Sequence, residues 1–366
     1  MTAPAPSRED LSPSTAAIDA QASAVARTTL GAQAAVGTYL AVAGQDEEAW
    51  YDTDSVTQMA ETMARLVDNF SVTAARFADQ YIADAVAWHS GKRFRALGVR
   101  NTLGMVGENG VREGVSTAGL FGRAADTYRY QQSLLDKAFV DDVRAGAPSP
   151  TELASPLDAA INRARKAAST NLQLAVRNQS SSVLAEAGRR DLITGYRRVV
   201  HAELSEEGSC GLCIAASTVV YRTDHLMPMH PGCHCVPVPI TKTRDPGAAI
   251  NDADLSRFYD EAGGTSGVLL RETRYKVDEH GEIGPVLRPF GAPIRTAEEA
   301  RRDANRRRTA KTDEQKIKTL QRKITVLSQS HAVASQMTLT PEWASRLRAI
   351  DARIGRLEDQ VIRLGG

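Results

Sequence analysis

The chain is poor in aromatic residues: seven Phe, three Trp and nine Tyr make up 5% of its 366 positions. Strands draw on aromatic and β-branched side chains, whereas alanine, abundant here, is the strongest helix former. That balance predicts a mainly helical protein. No uncharged apolar run reaches about 18 residues, so no membrane-spanning helix is expected. The opening "MTAPAPSREDLSPSTAAIDA" lacks the basic start and apolar core of a secretory signal, and 1–14 reads as a flexible Pro/Ser/Ala-rich lead. H-E-x-x-H, P-loop and G-x-S-x-G motifs are also missing, which removes the commonest metalloprotease, nucleotide and serine-hydrolase readings.

Net charge is nearly absent at +1, but it is unevenly spread. Residues 296–366 hold fifteen Lys and Arg against nine Asp and Glu, a surplus of six that leaves −5 upstream. A basic tail on an acidic chain points to nucleic acid, to an acidic protein surface, or simply to a solvated helical face. The arginines that would make such a contact are Arg301, Arg302, Arg306, Arg307 and Arg308.

Apolar spacing divides the chain into four stretches. After the lead, 15–150 is a helical region: 15–43 is Ala/Gly/Thr-rich and weakly amphipathic, and helices are expected more firmly over 54–89 and about 122–144. "RAGAPSPTELASP" then marks a boundary near 150. Ser155 followed by Pro156 starts a helix running to about Ala187. "GYRRVVHAEL" and "CVPVPI" read as two short strands, the second at a sheet edge because of its prolines. Short strands are also expected at "RYKV" and "PVL". Beyond 295, Thr296 caps a helix drawn through to Ser330, and Thr340–Pro341 restarts a second one. The seams Ile317–Leu327 and Leu347–Leu364 make 296–366 an antiparallel helical hairpin. Trp50, Trp88 and Trp343 read as packing anchors.

Cysteine, the scarcest residue after tryptophan, is concentrated. All four cysteines and three of seven histidines fall in "CGLCIAASTVVYRTDHLMPMHPGCHC", residues 210–235. A C-x-x-C turn followed by His and Cys from a neighbouring strand has the spacing of a tetrahedral zinc site. Candidate ligands are Cys210, Cys213 and His230, with Cys233 or Cys235 completing the set; an all-cysteine site is the variant. Two disulfides remain the alternative in an oxidising setting. A Cys213–His230 thiol–imidazole pair would make a nucleophile instead, and a zinc ribbon that binds nucleic acid would surround the cluster with Lys and Arg. The triplet "HAE" at His201–Glu203 imitates a deaminase signature but stands too close to Cys210. The resulting fold class is mainly α with a small β element (α+β): long helices around a zinc-stapled β-hairpin, plus the C-terminal hairpin.

"GYRR" at 195–198, "CGLC" at 210–213, Tyr221 and "HPGCHC" at 230–235 together resemble the signature region of the phage Mu F-like head morphogenesis family, in the form found in tailed phages of actinobacteria. The resemblance continues through "DPGAAINDADLSRFYDEAGGTSG" and "RYKVDEHGEIGPVL", which assigns 151–295 to a Mu F-like domain. Family members commonly carry arginine between the last two cysteines, where this chain has His234. The resemblance implies a minor capsid protein inside the virion, associated with the portal protein and other head components, and acting in head morphogenesis and in packaging or ejection of double-stranded DNA. It implies no catalytic residue, although related proteins are often labelled capsid maturation proteases.

Overall fold

The computed structural model of the chain describes residues 14–99, 112, 114–146, 153–201, 204, 213, 216–225, 227–229, 232, 234–252, 275–280, 282, 284–289, 296, 298–299, 302, 312–337 and 340–366. Its elements, in order, are α1 (Ser14–Ala43), a 3-10 turn (Glu48–Trp50), α2 (Thr53–Ser90), α3 (Thr117–Phe121), α4 (Arg123–Ala145), α5 (Pro156–Arg189), β1 (Gly195–Val199), β2 (Val220–Tyr221), β3 (Val236–Ile240), β4 (Tyr275–His280), β5 (Gly284–Pro289), α6 (Asp313–Ala334) and α7 (Pro341–Arg363). The protein is mainly helical with a small antiparallel sheet, as the composition predicts.

Local chemistry sets the helix ends. Ser155 Oγ accepts a bond from the Asp158 N–H at 3.1 Å, one turn into α5. Asp52 accepts from the Ser55 N–H at 2.7 Å before α2, and that bond holds its carboxyl below the usual range. At the other end of α4, Gly146 takes a left-handed φ of 74°, a conformation that costs glycine nothing.

The chain forms two compact units, each assembled from three separate stretches. The first comprises Met1–Val36, Glu61–Phe121 and Arg165–Arg301. Its core joins Ile18 and Ala22 of α1, Ile82 and Val86 of α2, Val183 and Leu184 of α5, and Tyr196, Val199, Val236 and Val238 of the sheet. The sheet has the order β2-β1-β3, with β1 paired antiparallel on both sides. Pro237 and Pro239 therefore sit on an edge strand, where a missing N–H costs no ladder bond. β2 is too short to leave a strand signature in the sequence, yet it sets Tyr221 opposite Tyr196. The β4–β5 hairpin is tethered through Val286, which meets Met229 and Leu174, and through Glu282, whose carboxylate lies 3.8 Å from Arg112. Of the three tryptophans, Trp88 departs from its expected role. It is 58% exposed and borders a groove of about 580 Å³ between α1 and α2.

The second unit comprises Gly37–Ala60, Gly122–Ala164 and Arg302–Gly366. Here α6 and α7 run antiparallel: Gly366, at the end of α7, lies against Ile317 at the start of α6, and His331 meets Asp351 at 3.0 Å. Leu327, Leu347, Ile350 and Leu357 fill the seam together with Phe139, Val140 and Val143 of α4. Trp343 packs edge-on against Phe139, with ring centroids 6.4 Å apart. Trp50 is equally buried, stacking on Tyr128 at 4.6 Å while its indole N–H donates to Gly44 O at 2.8 Å.

Two features of the tail differ from expectation. The helix drawn from Thr296 to Ser330 is interrupted, because Thr312 takes an extended conformation and forms a reciprocal capping box with Gln315. Thr312-x-x-Gln315 is a start signal that the long charged run concealed. The basic excess of α7 is also met within this unit. Arg346 pairs with Asp142, Arg356 with Glu47 at 2.5 Å, Arg363 with Glu48, and Arg353 with both Glu47 and Asp136. The acidic protein surface facing these four arginines is the chain's own.

Leu357 has no exposed surface at the centre of this unit. Truncation to alanine should cost about 2–5 kcal/mol, since the surrounding helices relax only partly around a cavity. Urea unfolding followed through tryptophan fluorescence, with Trp50 and Trp88 replaced by phenylalanine in both proteins so that Trp343 reports alone, measures the loss, and a cost under about 1 kcal/mol would contradict the packing described.

Candidate functional site

The site grows out of β1. Side chains alternate along a strand, so Tyr196 and Arg198 share one face while Arg197 takes the other. Gly195 opens the strand where a Cβ would lie 2.8 Å from Tyr221 O, a distance no larger residue tolerates. That close approach lets Tyr196 stack on Tyr221, centroids 5.3 Å apart and planes 18° from parallel. The Tyr196 hydroxyl donates to His225 O at 2.7 Å, and the Tyr221 hydroxyl to Ala216 O at 3.1 Å. Burial, with the neighbouring Tyr221, pushes the Tyr196 phenol well above its ordinary range. The Tyr196 ring is a neutral wall.

Arg198 lies over the Tyr221 ring at 5.9 Å and has no exposed surface. One terminal nitrogen, Nη1, donates to Cys213 Sγ at 3.7 Å and to Cys235 Sγ at 4.0 Å, while Nη2 donates to Pro228 O. One planar cation thus faces two sulfurs brought from separate segments. Cys213 is 5% exposed; Cys235 and His234 are half-buried and border a cavity of about 50 Å³ that Arg177, Ser180 and Tyr81 also line.

The opposite face locks the strand in place. Arg197 grips the Asp245 carboxylate, 2.7 Å from Nη2, and donates to Thr218 O at 2.6 Å. Gly247 packs against its side chain, where a Cβ would lie 3.1 Å from Arg197 Cβ. Asn251, in the helical residues 246–252, donates to Arg198 O at 2.8 Å and to Ser217 O at 3.1 Å. One buried amide therefore ties the arginine strand to the turn that carries Cys213.

Of the five candidate ligands, the structure brings Cys213 and Cys235 together; Cys210, His230 and Cys233 lie outside the described residues. Among the described residues no group of three or more His, Cys, Asp or Glu is placed to hold a metal. Only two of the five candidates fall within that set. Arg302 is exposed in a helical stretch, while Arg301, Arg306, Arg307 and Arg308 lie outside the described residues. His201 falls just beyond β1 and is buried, with Nδ1 3.9 Å from Asp19.

The arginines that a nucleic-acid ribbon would present are engaged elsewhere. Arg198 is interior, Arg197 is clamped by Asp245, and Arg222 pairs with Asp224 at 2.9 Å. Asn251 gave no distinguishing signal within "INDADL", because a single buried amide has no spacing pattern. No protein-family model, curated protein or solved structure matches the chain.

Replacing Asn251 with alanine leaves two buried carbonyls without their shared donor. The expected loss is about 1–3 kcal/mol. Hydrogen exchange should then rise in β1 and around Ser217 while α6 and α7 stay protected; unchanged exchange at both places would contradict the tie.

Proposed function

We propose that the chain is a minor capsid protein of the phage Mu F-like head morphogenesis type, carried inside the head at the portal vertex, with residues 210–235 stapled by a structural zinc ion. One observation carries this reading. Several described positions of the resemblance, scattered from 195 to 251, meet in one cluster: Gly195 admits Tyr221, Tyr196 stacks on it, and Arg198 reaches Cys213 and Cys235. Arg197 takes Asp245 of the D-P-G stretch, and Asn251 returns to Arg198 O. A motif whose members support one another physically is a structural unit.

The donor chemistry fits zinc. Thiolates and a neutral imidazole are its preferred ligands, and two of the sulfurs already converge. Cys210, Cys213 and His230 would hold the ion with Cys233 or Cys235. Bound there, zinc supplies a crosslink between the C-x-x-C turn and the start of β3, a region with little apolar bulk of its own. Four protein ligands close the coordination shell and leave no position for substrate.

Burial of Cys213 favours this structural role over a maturation protease, since a nucleophile must meet its peptide. Contacts with the portal or with packaged DNA would fall to Arg301, Arg302, Arg306, Arg307 and Arg308.

The test is made on heads purified from the phage that encodes the chain. The protein should be present in them, and the isolated protein should carry about one zinc per chain by elemental analysis. Cys213→Ser should lose the metal and loosen residues 195–252 without accumulating unprocessed major capsid protein. Absence of the chain from heads, or two stoichiometric disulfides with no metal, would overturn the proposal.

A further inference from the structure

We infer that Arg198 is the positioning residue of the cysteine cluster: its interior guanidinium sets the Cys213 and Cys235 sulfurs as a pair and keeps them in place as ligands. The inference rests on the zinc reading and adds a residue outside the Cys/His segment to it.

The geometry is specific. Cys213 arrives on a helical turn and Cys235 on the approach to β3, so neither segment dictates the position of the other. Arg198 links them from a third element, the central strand of the sheet. Its nitrogen lies 3.7 and 4.0 Å from the two sulfurs, within the range for N–H···S bonds. Sulfur as a neutral thiol is a weak acceptor, whereas a metal-bound thiolate retains negative charge and accepts strongly. A guanidinium removed from water is stabilised by such acceptors. The arginine and the metal-bound sulfurs therefore reinforce each other, as outer-shell donors do around metal ligands generally.

The side chain is itself held on several sides. Tyr221 lies beneath the guanidinium, Pro228 O accepts from Nη2, and Asn251 fixes the backbone carbonyl. A planar fork so constrained has one orientation, and lysine cannot copy it. An ammonium on a flexible stem supplies the charge but not parallel donors in a fixed plane.

The experiment uses the full chain loaded with zinc, then with cobalt as a spectroscopic probe. Affinity is read by chelator competition at one fixed pH, comparing wild type with Arg198→Met, Arg198→Lys and Arg222→Met as a surface control. Arg198→Met should bind zinc about 10- to 100-fold more weakly, Arg198→Lys should recover only part of that, and Arg222→Met should match wild type. The cobalt forms of both Arg198 variants should show altered thiolate-to-metal charge-transfer bands, a readout taken at the ligand sulfurs themselves. Should Arg198→Met fail to fold, Arg198→Lys keeps the buried charge and carries the test. Wild-type affinity and an unchanged cobalt spectrum in a folded Arg198 variant would overturn the inference while leaving the zinc reading intact. A wild-type chain that takes up no zinc would overturn both.

Discussion

A guanidinium with no exposed surface organises the first unit. Arg198 reaches the two described cysteines, a proline carbonyl and a tyrosine ring from the middle strand of a three-stranded sheet. Burying such a charge is costly unless its surroundings are fixed to receive it. The surroundings here are fixed by neighbours in the same motif. Gly195 allows the tyrosine stack, Asp245 clamps the adjacent arginine, and Asn251 joins the strand to the Cys213 turn.

The second unit repeats the device with different partners. Arg353 is 1% exposed and sits above the Tyr51 ring at 5.4 Å, donating to the Tyr51 hydroxyl at 3.0 Å and pairing with Glu47 and Asp136. Burial pulls this guanidinium down, but Tyr51, Asp136 and Glu47 outweigh it and hold it above its ordinary value. In both units an interior arginine over a tyrosine ties together segments distant in sequence. Small apolar residues fill much of the core, as the many buried alanines attest, and such residues fix register poorly. Directional polar contacts supply the specificity that bulky side chains provide elsewhere.

Much of this was legible from residue spacing. Ser155–Pro156 and Thr340–Pro341 announced α5 and α7, and the prolines of "CVPVPI" placed β3 at an edge. The apolar steps from Ile317 to Leu327 and from Leu347 to Leu364 gave the hairpin. Long-range pairing was hidden. Nothing local shows that Phe139 of α4 joins the hairpin seam, or that Glu47 and Asp136 meet Arg353, because these contacts cross most of the chain. The pairing of the α7 arginines was hidden for the same reason: net charge records arginines without their partners. At the site, the cysteines were conspicuous by type, while nothing in the spacing set Arg198 apart from the neighbouring Arg197.

The central claim is that sulfurs grouped around Arg198 bind a metal ion, and X-ray absorption at the zinc edge of the purified full-length chain addresses it most directly. The account predicts a first shell dominated by sulfur at about 2.3 Å in tetrahedral coordination. A shell of oxygen and nitrogen alone, or a protein that retains no zinc while its cysteines are reduced, would contradict it.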